Sequence, residues 1–161
     1  MFDIIKYREI QEKISILGKK TKIIAISKNH TEEQVKLAIS HNVAIFGENR
    51  VQEAKQKFKD ILRSKNSIQM HLTGPLQTNK VGQALEIFDV FHTLDRVKLL
   101  KEFSKHQEKI NKKKFYIQIN TGKEETKSGV YPENLNEFIK LCQFYNIPNI
   151  EGLMCIPPIN E

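Results

Sequence analysis

Six short apolar runs with stretches of helical periodicity between them constrain the fold of this chain more than any other feature. The runs cover residues 22–27 (KIIAIS), 43–46 (VAIF), 68–73 (IQMHLT), 90–94 (VFHTL), 115–120 (FYIQIN) and 150–155 (IEGLMC). They are rich in Ile, Val and Phe and bounded by Gly, Asn, Asp, Pro or Lys, which is how short strands read. Between them, Thr31-Glu32-Glu33-Gln34 reads as a capping box ahead of an apolar stripe of Val35, Ala38 and Ile39. Val51, Ala54, Phe58, Ile61 and Leu62 recur at helical spacing, with Glu48 assigned to the first turn, where the helix dipole favours a carboxylate. Asp95 is expected to cap a helix carrying Val97, Leu100 and Phe103. Pro132 opens another with Leu135, Phe138, Ile139 and Cys142, which the Asn146-Ile147-Pro148 turn stops. A helix over residues 3–17 precedes the first strand.

Strict alternation of this kind implies an α/β fold with parallel strands joined by right-handed crossovers. A closed β/α barrel and an open doubly wound sheet both satisfy it, and periodicity does not choose between them. The 161 residues are one domain's length, enough to bury a core without disulfides or metals. The two cysteines, Cys142 and Cys155, form no close-spaced metal motif and suit a reducing, cytoplasmic setting. The N-terminal MFDIIKYREIQEK lacks the continuous apolar core of a signal peptide, and no run of about 18 apolar residues occurs. Neither a secreted nor a membrane-spanning chain is expected. The net charge of +7 raises the question of nucleic acid. The lysines are dispersed, however, with one dense cluster at Lys112-Lys113-Lys114 and no nucleic-acid motif beside it. A solvated basic surface is the favoured reading, and no specific nucleic-acid or membrane partner is expected.

In both architectures ligands bind at the C-terminal ends of the strands. Polar, ionisable and glycine residues recur there: Ser27-Lys28-Asn29-His30, Gly47-Glu48-Asn49-Arg50, Gly74 to Lys80, Asp95-Arg96, Asn120-Thr121 and Gly152-Leu153-Met154. Lys28 follows Ile23-Ile24-Ala25-Ile26, so its stem is expected to start inside or just above the core. Burial there would disfavour the ammonium form and leave an amine able to attack an aldehyde. The competing reading is a lysine that snorkels out of a strand end. Asn49 is either a hydrogen-bonding partner for a ring substituent or an ordinary residue at a helix start. Met154 either packs its sulfur on a flat ring or fills the core. His71 alternates with apolar neighbours and reads as an interior histidine satisfied by hydrogen bonds. No metal site is expected, since no histidines or carboxylates stand at ligand spacing, and no nucleotide fingerprint occurs.

In order along the chain stand Ala25-Ile26-Ser27-Lys28, Phe46 to Glu53 (FGENRVQE), His71 to Lys80 (HLTGPLQTNK), His92-Thr93-Leu94-Asp95-Arg96, Gln118-Ile119-Asn120, Lys127-Ser128-Gly129 and Gly152 to Pro157 (GLMCIP). These segments resemble the motifs of the pyridoxal-phosphate homeostasis proteins, the YggS/PROSC family. The resemblance implies a (β/α) barrel of the alanine racemase N-terminal type, with pyridoxal 5'-phosphate as the cofactor. Lys28 would carry it as an imine, Asn49 and Met154 would line its cavity, and no residue is assigned to catalysis. The implied role is to hold and deliver the cofactor, without established turnover. The chain departs from many members in having Arg50 after the Glu-Asn pair and Met70 before His71. Against the family's eight strands it offers six, so residues 1–161 are read as a single barrel domain lacking the C-terminal strands and the phosphate cup they carry. Open sheet edges and some self-association are expected with them. The main rival is a pyridoxal-phosphate-dependent racemase, whose proton transfers need a second base that these residues do not supply. A basic nucleic-acid-binding protein is the other, and rests on charge alone.

Overall fold

The computed structural model describes residues 2–18, 20–64 and 67–158. Helix α1 (Ile4–Ile16) comes first, then β1 (Ala25–Ile26), α2 (Glu32–Ser40), β2 (Ile45–Glu48), α3 (Val51–Ser64), β3 (Gln69–Leu72) and α4 (Val81–Leu85). The chain continues through β4 (Val90–Leu94), α5 (Val97–Ser104), α6 (Gln107–Ile110), β5 (Lys114–Ile119), α7 (Leu135–Phe144) and β6 (Ile150–Cys155). Each of the six apolar runs therefore overlaps a strand, β2 being displaced by two residues toward the C-terminus. The first is much shorter than expected, although its ladder extends by one bond from Ser27 N–H to the Gly47 carbonyl at 3.0 Å. The short helices α4 and α6 fall where the periodicity marks none. The chain-end residues Ile159, Asn160 and Glu161 lie outside the described residues.

The strands form one parallel sheet in the order β1-β2-β3-β4-β5-β6. That order decides between the two architectures. A doubly wound sheet reverses direction at a switch point, whereas here each crossover advances one strand the same way. Right-handed crossovers that never reverse place all their helices on one side, as in a β/α barrel. The main core lies between that helix layer and the sheet. Phe46, Met70, Leu72, Phe91, Leu94, Phe115 and Ile117 meet Ala54, Phe58, Val81, Leu99, Leu100 and Phe103, all nearly or fully buried.

Three local expectations change. The Thr31 hydroxyl does accept from Gln34 N–H, at 3.4 Å, but the reciprocal half of the box is lost because Gln34 Oε1 bonds His30 Nδ1 at 2.7 Å. Glu48 is not in a helical turn: it ends β2 and is fully buried. Asp95 does not cap α5, whose N-cap is Arg96 without a side-chain bond. The Asp95 carboxylate is instead held by the Arg96 guanidinium at 2.6 Å, a charged donor that outcompetes a backbone N–H.

Phe91 lies at the centre of the aromatic part of the core. It stacks on Phe115 at 5.4 Å between centroids and meets Phe103 edge-on at 5.2 Å. Phe91→Ala is expected to cost about 3–5 kcal/mol, read as a lower urea midpoint at unchanged slope. Phe144→Ala, at an exposed ring, should stay within about 0.5 kcal/mol.

Candidate functional site

Strand parity sets which side chains face away from the helices. Phe46 and Glu48 point into the helix layer, so Gly47 faces the other way. A Cβ at Gly47 would stand 2.5 Å from Ile26 Cδ1 and 3.0 Å from Ile24 Cγ2, which places Ile24 and Ile26 on that same face. The register pairs Ile26, Gly47 and His71 across β1, β2 and β3. Two residues further along each strand come Lys28, Asn49 and Thr73, side by side at the C-terminal rim. The Thr73 hydroxyl donates to Asn49 Oδ1 at 3.0 Å. Gly74 lets this rim close: a Cβ there would fall 2.6 Å from the Asn49 carbonyl oxygen.

Lys28 is exposed, which corrects the expectation that its stem is buried in the core. The inward place at the end of β1 belongs to Ser27, which is buried; Lys28 begins on the opposite, open face. Its side chain has no ion-pair or hydrogen-bond partner among the described residues. Met154 lies on β6 in register with Gln118 and half-buried. Its neighbour two residues back, Gly152, would bring a Cβ to 3.6 Å from the Tyr116 ring, so Met154 shares the face of Tyr116. The three residues singled out from the sequence therefore share one face, with Lys28 and Asn49 at neighbouring strand ends and Met154 four strands away from Asn49.

Deeper on this face His71 behaves as the sequence suggests, and it has a partner the sequence does not show. His71 Nδ1 meets His92 Nε2 at 2.8 Å, and His71 Nε2 donates to Gln69 Oε1 at 3.2 Å. Since Gln69 Oε1 only accepts, neutral His71 carries its proton on Nε2 and accepts at Nδ1 from His92. His92 in turn stacks on Tyr116 with ring centroids 4.6 Å apart and planes inclined by 7°. Burial first, then the His92 ring and Lys22, push His71 down to about 4, and burial also lowers His92. The result is an uncharged, flat aromatic floor.

Behind the rim, inside the helix layer, lies a polar network that sequence reasoning missed. Lys57 of α3, buried, donates from Nζ to the Ser27 carbonyl at 2.5 Å, to Glu48 Oε1 at 2.7 Å and to Glu53 Oε1 at 3.0 Å. Glu48 Oε1 also accepts from the Ser27 hydroxyl at 2.6 Å, and Glu53 Oε1 from Asn29 N–H at 2.7 Å. Burial pushes the Glu53 carboxyl up, but the Asn29 N–H and Lys57 outweigh it and hold the group below its ordinary range. A carboxylate sharing strand parity with the core residue Phe46 is the signal that could have revealed Glu48's need for a buried cation.

The loops at the C-terminal ends of β2 to β5 enclose an open cleft of about 820 Å³, lined by Asn49, Arg50, Lys80, Arg96, Lys127 and Ser128 among others. Arg96 is anchored by Asp95 and by the Leu76 carbonyl, at 2.6 Å each. Asn120 holds the loop bearing Lys127, donating from Nδ2 to the Glu124 and Lys127 carbonyls. The cleft is therefore cationic and suits an anion. No group of three or more His, Cys, Asp or Glu stands ready for a metal among the described residues. Burial raises the Cys142 thiol to about 12, which makes it inert. No helix among the described residues is long and apolar enough to cross a membrane.

The alanine racemase N-terminal domain family model matches residues 5–160. The pyridoxal phosphate homeostasis protein of Buchnera aphidicola is 37% identical over 147 residues, covering 89% of this chain and 62% of the relative. That of Aquifex aeolicus is 37% identical over 146 residues, covering 87% of this chain and 61% of the relative. This chain thus spans about three fifths of the length of these relatives. The structure of PipY from Synechococcus elongatus without PLP superimposes with a TM-score of 0.78 at 30% identity, covering 94% of this chain and 73% of PipY. The same protein with PLP bound gives 0.74 at 30% identity over 94% of this chain and 72% of PipY.

The histidine pair generates a pH prediction. His71 moves from an ordinary value of 6.5 to about 4 in the folded protein. A group that folding makes harder to protonate contributes stability that is complete above the ordinary value and is lost as pH falls towards the folded one. Between pH 6.5 and 4 the unfolding midpoint of the wild type should therefore fall more steeply than that of His71→Gln. Parallel pH profiles for the two proteins would contradict the assignment.

Proposed function

We propose that this chain, which belongs to the alanine racemase N-terminal domain family and is a homologue of the pyridoxal phosphate homeostasis proteins, holds pyridoxal 5'-phosphate for delivery and buffering, with Lys28 as the attachment point. The observation that carries the reading is the place of Lys28: an amine without a partner among the described residues, at the C-terminal end of the first strand, beside Asn49, on the open face of the sheet. A homologous structure that contains PLP supports the cofactor.

The residues present fit such a group. An aldehyde needs a primary amine, which Lys28 offers; bonding joins its nitrogen to the aldehyde carbon while the carbonyl oxygen leaves as water. Asn49 Oδ1 is engaged by Thr73, which turns the amide Nδ2 toward donation to a ring oxygen. Met154 offers a polarisable sulfur to a flat ring, and His92 and Tyr116 present a planar, uncharged surface below. Arg50, Lys80 and Lys127 make the neighbouring cleft attractive to a phosphate. When bound, the cofactor supplies an electron sink. Turning that into a specific reaction takes a positioned acid and base, and the two histidines on this face are bonded to each other and held neutral. A carrier, rather than a racemase, is therefore the function these residues serve.

Incubation with pyridoxal 5'-phosphate, borohydride reduction and peptide mapping test this. The pyridoxyl mass should map to Lys28 and disappear from that peptide in Lys28→Ala. A label found mainly on Lys80 or Lys127 would overturn the assignment.

A further inference from the structure

We infer that Glu48, Glu53 and Lys57 form a clamp that fixes the backbone on both sides of Lys28 and so sets where its amine stands. The inference rests on the reading of Lys28 as the attachment point, and it assigns positioning residues that never touch the cofactor.

The geometry is specific to this lysine. The peptide unit before it offers the Ser27 carbonyl, taken by Lys57 Nζ at 2.5 Å. The unit after it offers the Asn29 N–H, taken by Glu53 Oε1 at 2.7 Å. Lys57 and Glu53 are themselves joined at 3.0 Å, one turn apart on α3. Glu48 completes the clamp, with one oxygen accepting from both Lys57 Nζ and the Ser27 hydroxyl. The three hydrogens of the Lys57 ammonium thus have three acceptors, all of them in the clamp.

Stability alone is a poor reason for this arrangement. Buried ion pairs are often matched or bettered by apolar residues of similar size, and the surrounding core is apolar. What an apolar core cannot do is grip a carbonyl and an N–H two residues apart at a strand end. The turn the clamp grips is a tight one: Asn29 has φ of 62°, in the left-handed region that asparagine adopts more readily than other non-glycine residues. The turn that follows is closed by His30 N–H on the Ser27 carbonyl at 3.1 Å, so Lys57 and His30 share that one acceptor. The short β1 adds only two residues of regular ladder. Without the clamp, the segment carrying Lys28 would keep that ladder, the Ser27 N–H bond to the Gly47 carbonyl and the turn bond from His30.

The test uses the full 161-residue chain and two substitutions at Glu53, whose side chain is partly exposed and can change without unfolding the protein. Glu53→Ala removes the acceptor for Asn29 N–H; Glu53→Gln restores an acceptor without the charge. One readout needs no cofactor: hydrogen exchange at the Asn29 amide by NMR. Protection is expected in the wild type, with loss in Glu53→Ala and substantial recovery in Glu53→Gln. The second is the initial rate of borohydride-trapped attachment of pyridoxal 5'-phosphate at Lys28. It should fall about tenfold in Glu53→Ala, as for other groups displaced from a productive geometry, while trapping at Lys80 and Lys127 stays unchanged. A protected Asn29 amide and an undiminished Lys28 rate in Glu53→Ala would overturn the clamp alone. A wild type labelled elsewhere than Lys28 would overturn the functional reading, and the clamp's role with it.

Discussion

Parallel pairing of six strands in sequence order puts every crossover on one side of the sheet, and most of what distinguishes this chain depends on that asymmetry. One face receives the helices and is closed by stacked and edge-on phenylalanines. The other receives none of the crossovers and keeps the polar side chains that strand alternation directs to it: His71, Thr73, His92, Tyr116 and Gln118. Because the strands are parallel, their C-terminal ends lie along one rim. Residues far apart in sequence, such as Lys28, Asn49 and Arg96, are brought there by the strand ends themselves, and Lys127 by the loop between β5 and α7.

Two buried polar systems among the described residues answer to this division in opposite ways. On the open face the solution is neutrality: burial keeps His71 and His92 uncharged, and a chain of hydrogen bonds from His92 through His71 to Gln69 satisfies the nitrogens involved. In the helix layer the solution is charge compensation, with Lys57 held between Glu48 and Glu53. The lysine expected to be buried and the one that is buried are thus different residues, and their roles separate accordingly. Lys57 is consumed by structure, and Lys28 is left available.

Much of the fold could be read from the amino-acid sequence, because β-branched and aromatic runs and helical stripes are local signals. All six runs overlap strands, and the rim residues stand at or just beyond the ends of the runs. Strand order was not accessible, since periodicity fixes which face of an element is apolar but not which element lies beside it. The errors have the same origin. Glu48 sits close to a helix start in sequence, and only its strand parity reveals that it points into the core. Asp95 looks like a cap until the neighbouring Arg96 takes its carboxylate. Glu53 and Lys57, four apart on a helix, look like an ordinary surface pair. His71 and His92 are 21 residues apart, and nothing local announces their contact.

If the open face and its rim at Lys28 receive pyridoxal 5'-phosphate, an amide chemical-shift map of the nitrogen-15-labelled chain, recorded during titration with the cofactor, will register it. The largest shifts are expected at Ser27 to Asn29 and Gly47 to Asn49, with a second group around His92, Tyr116 and Met154. Shifts centred on Lys112 to Lys114, or spread evenly over exposed lysines with none at residues 27–29, would contradict it.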